Sequence, residues 1–230
     1  MKKKILLSFF LLAVSFSVFA GDVATFEDMG FSQDGSVYVF GQYGTTDKAF
    51  LPYAEIYTVD VAKNDFIKNG VFTSKGVTGK SAQQVFSQVT QRAQDFLKPY
   101  NLTPVSSSSL LYLKQSEGVD EEEIVFKDFE SVDEPVFYHV KVEALYRGKG
   151  ANTDSSFYIK VEKKTEDGSV LSRFVAGNPE IKRKGVTNYS INRIFTTPDG
   201  KGVVFVVEKT VEDSTGVSVR YMVETAVVDK

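Results

Sequence analysis

The chain has 230 residues, a formal net charge of −3, no cysteine and a single histidine, His139. The missing cysteines exclude thiol nucleophiles, iron–sulfur clusters and cysteine-ligated zinc, and a single histidine excludes a multi-histidine metal site within one chain. The acidic balance argues against nucleic-acid binding, because neutralising phosphates requires clustered lysine and arginine.

The first twenty residues predict a secretory leader that is removed on export. Residues 2–4 are lysines, residues 5–19 are almost wholly apolar, and Val18 and Ala20 suit a small-residue cleavage site. The alternative, a membrane anchor, is disfavoured because the apolar run is shorter than the roughly 20 residues that a spanning helix needs. We expect residues 21–230 to form a single β-rich exported domain, periplasmic or extracellular, with no membrane span after leader removal.

Three Asp-Gly pairs stand between β-type runs, and the first lies in the segment GFSQDGSVYVFGQYG at residues 30–44. Asp-Gly favours the primed turns whose twist suits paired antiparallel strands. Asp34-Gly35, Asp167-Gly168 and Asp199-Gly200 therefore each predict a hairpin. The first and last hairpins resemble blade hairpins of TolB-type propellers. A closed propeller is disfavoured, because it needs at least four blades, no third copy is found, and a long helix does not belong in one.

One helix that covers the core is predicted around residues 81–98. Ser81 suits the N-cap, and Gln84 three residues later completes a capping-box pattern. Apolar residues recur at helical spacing, and Pro99 stops the helix after its last turn. The residues of this apolar face are Val85, Val89, Ala93, Phe96 and Leu97.

Two strand patterns dominate the carboxyl-terminal part. Residues 203–207 are apolar at every position, which predicts a central strand that is covered on both faces. Residues 217–227 alternate, with Ser218, Arg220 and Glu224 on the polar face, which predicts a half-buried strand. Together with the hairpins and the helix, these patterns predict an α+β fold that is predominantly antiparallel β.

Five segments taken together carry a family resemblance over most of the chain. They are GFSQDGSVYVFGQYG, PYAEIYTVDVAKNDF, FKDFE, SSFYIKV and GVTNYSINRIFTTPDGKGVVFVVE. Their content and order resemble an uncharacterised family of predicted secreted bacterial proteins, domain of unknown function 2259. The resemblance implies export, a β-rich fold and no assigned activity, and it brings no catalytic residues to this sequence.

Three chemical signals are better explained by structure than by function. Gly79-Lys80-Ser81 opens a helix as a phosphate-binding loop does, but Ser74 replaces the glycine that such a loop needs. The acidic residues between positions 120 and 134 lack the spacing of a calcium loop and suit a solvated sheet edge. His139 lies on a mixed, outward strand face without partner histidines. We therefore assign no catalytic residue, no metal ligand and no cofactor.

Aromatic residues near the first hairpin are the best remaining candidates for binding. In an exposed patch they would stack on a sugar or a peptide, whereas the alternative is ordinary packing in a β core. The candidates are Tyr38, Phe40, Tyr43, Tyr53 and Tyr57.

The sequence therefore predicts an exported, non-enzymatic binding or interaction domain of the bacterial cell envelope, with an envelope protein or a glycan as its partner. Two alternatives stay open. One is a carboxylate-dependent hydrolase of envelope material, which requires two acids in a cleft, one with a raised pKa. The other is a protein that binds a small ligand or calcium through its acidic residues.

Overall fold

The computed structural model describes residues 22–115, 122–128, 131, 134–214 and 216–228. The predicted leader, residues 1–20, lies outside the described residues, as do Asp120, Glu121, Glu130 and Asp133 of the acidic run. Within the described part of the chain, no helix has the length and apolar character needed to cross a bilayer.

The described residues form one α-helix and fourteen strands. Their bounds in chain order are β1 (Asp22–Val23), β2 (Thr25–Phe31), β3 (Val37–Thr45), β4 (Pro52–Asp60), β5 (Asp65–Lys75), α1 (Ala82–Leu97), β6 (Leu110–Leu113), β7 (Ile124–Lys127), β8 (Val136–Arg147), β9 (Asp154–Thr165), β10 (Val170–Ala176), β11 (Arg183–Lys184), β12 (Val186–Thr196), β13 (Gly202–Asp213) and β14 (Gly216–Val227). Short 3-10 turns cover Lys98–Tyr100, Ser107–Ser109 and Gly150–Asn152.

The strands form three sheets. The N-terminal sheet is an antiparallel meander in the order β2-β3-β4-β5. The central sheet has the order β1-β14-β13-β12-β6, in which only the short β1 pairs in parallel with its neighbour. The outer sheet has the order β10-β9-β8-β7, and β11 also pairs with β9. The predicted class, predominantly antiparallel β with one helix, is confirmed.

The three sheets and the helix stack as four layers. One core cluster joins the outer sheet to the central sheet, a second joins the central sheet to the N-terminal sheet, and a third joins the N-terminal sheet to α1. In β13, Phe205 and Val207 belong to the first cluster, whereas Val204 and Val206 belong to the second. The prediction that this strand is covered on both faces is confirmed. Each large apolar side chain buried in this way contributes about 1.5–3 kcal/mol.

Helix α1 begins and ends as predicted. Ser81 accepts a hydrogen bond from the Gln84 amide at 3.2 Å, and Gln84 Oε1 accepts one from the Ser81 amide at 2.8 Å, so the capping box is complete. Val85, Val89 and Ala93 are fully buried against β3 and β4. The helix therefore closes the open face of the N-terminal sheet.

The three Asp-Gly pairs all form hairpins, joining β2 to β3, β9 to β10, and β12 to β13. The turns share one chemistry, in which Asp34, Asp167 and Asp199 each accept a hydroxyl hydrogen bond from a Ser or Thr two residues earlier. Each aspartate also accepts the amide two residues later.

The likeness to propeller blades does not extend beyond these turns. The layer stack ends in α1 on one side and in the outer sheet on the other, whereas propeller blades close around a channel.

Candidate functional site

A cavity of about 710 Å³ lies where the three sheets meet. Each sheet contributes strand residues to its wall, and the β4–β5 and β10–β11 turns add further residues. The lining residues are Phe40, Tyr57, Val59, Lys63, Asn64, Asp65, Phe66, Val175, Gly177, Asn178, Ile181, Arg183, Lys209, Tyr221, Met222, Val223, Glu224 and Thr225.

A column of stacked rings from the N-terminal sheet forms one side of the cavity. Phe40 stacks on Tyr57 with ring centroids 5.0 Å apart, and Tyr57 stacks on Phe66 at 5.1 Å. Phe66 ends the column and keeps 49% of its surface exposed. Because Phe66 stacks on Tyr57, which in turn stacks on Phe40, its ring is held in one orientation and presents an apolar surface to a molecule in the cavity.

A buried carboxylate forms part of the polar side. Glu224 Oε2 accepts a hydrogen bond from Asn64 Nδ2 at 2.5 Å, and Glu224 Oε1 lies 3.4 Å from Arg183 Nη2. Burial raises the pKa of Glu224, although Asn64 and Arg183 act in the opposite direction. Gly177 allows the β10–β11 turn to pass close by, since a Cβ atom at this position would lie 3.3 Å from Glu224 Cδ.

Asn64 fixes the β4–β5 turn to the central sheet. Its Oδ1 accepts the Thr225 amide at 2.7 Å while its Nδ2 donates to Glu224. Asn64 has a positive φ of 52°, a conformation that asparagine tolerates better than most residues. This turn therefore sets the position of both Glu224 and Phe66 relative to the cavity.

Lys209 is the cation with the least compensation in the cavity wall. Its neighbours across the strands are Tyr189 and Arg220, and it keeps part of its surface open. Among the described residues, no group forms a hydrogen bond or ion pair with it. Burial lowers the pKa of Lys209. The Glu55 charge acts in the opposite direction, and the smaller effects of Arg183, Arg220 and Lys75 lower the pKa further.

The nearby carboxylate Glu55 has its own partners. Glu55 Oε2 accepts from Gln42 at 2.9 Å and from the Tyr57 hydroxyl at 2.7 Å, and Glu55 Oε1 pairs with Lys75 at 3.0 Å. Burial opposes ionisation of Glu55, but the Tyr57 hydrogen bond and the charges of Lys75 and, to a smaller extent, Lys209 outweigh it, so the pKa of Glu55 is lowered.

The structure places two of the five aromatic candidates, Phe40 and Tyr57, in the cavity wall. Tyr38 and Tyr53 lie in the core between the N-terminal and central sheets, and Tyr43 packs on Phe86 of α1 at 5.0 Å. The expected exposed patch does not form, because Tyr38, Phe40 and Tyr53 are 0, 1 and 3% exposed. The reason is that β3 and β4 are inner strands with the central sheet on one face and α1 on the other. Binding by Phe40 and Tyr57 stays a prediction.

The sequence reasoning missed Glu224 and Lys209 as site residues. Glu224 was expected on the polar face of a half-buried strand, but it is 5% exposed, because β14 lies inside the central sheet with layers on both sides. The sequence did contain one relevant signal. Residues 203–207 predict a strand that is covered on both faces, and polar residues next to it on the neighbouring strand are then expected to be buried too.

The other chemical candidates have structural roles. Ser81 of the Gly79-Lys80-Ser81 segment caps α1. In the acidic run, Glu123 lies 3.4 Å from His139 Nδ1, and Asp128 pairs with Lys163 at 2.6 Å. In the part of the chain that the structure describes, no three histidine or acidic side chains are placed to share a metal ion.

Comparison with known proteins gives one match. The family described as "Predicted secreted protein (DUF2259)" matches residues 39–226, a span that contains every residue lining the cavity. No curated protein and no solved structure matches the chain.

Proposed function

The chain belongs to the DUF2259 family of predicted secreted proteins, and from that premise we propose that it is a non-enzymatic binding protein of the cell envelope whose three-sheet cavity takes a saccharide. The volume of this cavity falls in the range of about 300–1,000 Å³ that is typical of small-molecule sites.

The observation that carries this proposal is the ring column that ends in Phe66. A saccharide has apolar C–H faces that pack on an aromatic ring, and its hydroxyl groups need planar hydrogen-bonding partners around that ring. The cavity contains Phe66 and Tyr57 for the first requirement. It contains Asn178, Arg183 and Glu224 for the second.

The test is a binding measurement with the purified protein. Glucose, N-acetylglucosamine and chitobiose are titrated by calorimetry against the wild type, Phe66→Ala and Phe50→Ala. Phe50 is an exposed phenylalanine outside the cavity wall and serves as the matched control. We expect Phe66→Ala to weaken saccharide binding roughly threefold to tenfold, and Phe50→Ala to leave it unchanged. Failure of all three sugars to bind, or equal effects of both variants, would overturn the proposal.

One observation favours a hydrolase as the second candidate. Glu224, with its raised pKa, and a second carboxylate, Asp65, line the same cavity. Glycoside hydrolysis uses two carboxyl groups in one cleft, one of them a general acid. Incubation with envelope polysaccharide separates the candidates: reducing ends released by the wild type and not by Glu224→Gln would support the hydrolase. Absence of release by a wild type that binds sugar would support binding alone.

A further inference from the structure

We propose that the ligand of this cavity carries an anionic group, a carboxylate or a phosphate ester, and that Lys209 binds that group with Arg183 beside it. This inference rests on the proposed function and names the class of saccharide. It follows from a cation in the cavity wall whose charge the described residues leave without a direct partner.

A lysine ammonium carries three hydrogen-bond donors, which need acceptors from the protein, from water or from a ligand. Lys209 lines the cavity, yet no described residue accepts a hydrogen bond from it or pairs with it. An acceptor supplied by a ligand would satisfy these donors.

The surrounding carboxylates are committed elsewhere. Glu55 is held by Gln42, Tyr57 and Lys75. Glu224 is held by Asn64 and Arg183. Neither side chain can turn to Lys209 without breaking these contacts.

The remaining charges near Lys209 favour an anion. Arg183, Arg220 and Lys75 act on it as like charges, and Glu55 is the opposing charge. Arg220 is paired with Asp22 at 2.6 Å. Arg183 lies 3.4 Å from Glu224, donates to the Ile181 carbonyl at 3.4 Å, packs over the Phe157 ring at 4.9 Å and interacts with the Tyr189 hydroxyl. A guanidinium has five N–H donors, so part of them remains for a ligand. An anion between Lys209 and Arg183 reduces their mutual repulsion.

Glu224 and Asp65 line the same cavity and act against an anion. Glu224 is offset by the Arg183 charge and by the hydrogen bond from Asn64. Asp65 lies at the exposed start of β5, where solvent screens its charge. The anionic group is therefore expected at the Lys209 side of the cavity, and the uncharged part of the sugar at Phe66.

The experiment compares three matched sugars by calorimetry: glucose, glucuronate and a glucose phosphate ester. We expect at least one acidic sugar to bind the wild type about tenfold or more tightly than glucose. Lys209→Met should remove this advantage. Lys80→Met, which changes an exposed lysine outside the cavity wall, should retain it. The two acidic sugars distinguish a carboxylate from a phosphate.

Equal binding of all three sugars by the wild type, or an unchanged preference in Lys209→Met, would overturn the inference while leaving saccharide binding intact. A second measurement uses the wild type alone and so does not depend on whether a variant folds. Isotope-labelled dimethylation of the lysines gives one NMR signal for each, and inorganic phosphate should raise the pKa of Lys209 in the wild type. If no sugar binds, the proposed function fails by itself; if neither phosphate nor glucuronate moves the Lys209 signal, this inference fails.

Discussion

The side-chain amide of Gln42 pairs with the backbone of Tyr221 as a neighbouring strand would. Gln42 Oε1 accepts the Tyr221 amide at 2.8 Å, and Gln42 Nε2 donates to the Tyr221 carbonyl at 3.2 Å. β1 pairs with β14 at Ser218 and Val219, so Gln42 extends that pairing two residues further. A side chain of the N-terminal sheet thus satisfies the edge of the central sheet above the cavity.

Replacing Gln42 by alanine should destabilise the protein strongly. The change leaves the buried amide and carbonyl of Tyr221 without partners, and each such group costs about 1–3 kcal/mol. We expect urea denaturation to show a loss of about 2–5 kcal/mol in the free energy of unfolding. Gln33→Ala, at an exposed glutamine, is the control and should change it little. Equal stabilities of the two variants would contradict the role of Gln42.

Replacing Lys209 by methionine should stabilise the protein at neutral pH. Because the pKa of Lys209 is lower in the folded protein than its ordinary value of 10.5, protonation favours the unfolded state. The loss of stability that the lysine charge causes in the wild type is complete at pH values below the pKa of Lys209 in the folded protein. It shrinks as the pH rises from that value through 10.5, where lysine is neutral in both states. Unfolding free energies measured across this range should show the gap between Lys209→Met and the wild type closing. A difference in stability between Lys209→Met and the wild type that is absent or independent of pH would contradict this prediction.

Removing the cap of α1 should cost less. Ser81→Ala deletes the acceptor for the Gln84 amide, and we expect a loss of about 0.5–2 kcal/mol by thermal or urea unfolding. Ser87→Ala is the matched control, since Ser87 lies inside the helix and alanine has the higher helix propensity there. Ser81→Ala should therefore lower the free energy of unfolding, whereas Ser87→Ala should raise it or leave it unchanged. A larger loss of stability in Ser87→Ala than in Ser81→Ala would count against the capping box.

The turn aspartate Asp34 should titrate well below its usual range. Hydrogen bonds from Ser32 and Ser36 lower its pKa from 3.8 to about 2. A lowered pKa means that the carboxylate stabilises the folded state above pH 3.8 and that this contribution is lost as the pH falls towards 2. Carboxyl NMR titration of the wild type gives the value directly, and Ser32→Ala should raise it. A titration midpoint at 3.8 in the wild type would show that the turn hydrogen bonds are absent in solution.

The local parts of the fold could be predicted from the sequence because their signals lie within a few residues. The Ser81–Gln84 cap and the spacing of Val85, Val89 and Ala93 define α1 without reference to the rest of the chain. The Asp-Gly turns are equally local, since Asp34 bonds only with residues two positions away. The unbroken apolar run in β13 also predicted its two-sided cover, because such runs are typical of strands that are buried on both faces.

The candidate site could not be predicted in the same way, because it is formed by contacts between residues far apart in the chain. The local sequence pattern does not encode such contacts. Asn64 meets Glu224 and Thr225 across about 160 residues, and Gln42 meets Tyr221 across 179. Stacking the sheets buried Tyr38 and Tyr53, which local pattern allowed to be exposed, and it brought Lys209 and Glu224 into one cavity. The sequence alone determined the helix, the Asp-Gly turns and the strand covered on both faces, because backbone hydrogen bonding and side-chain periodicity act locally. Only the tertiary structure decided which polar side chains face a shared cavity, because that depends on which sheet covers which face.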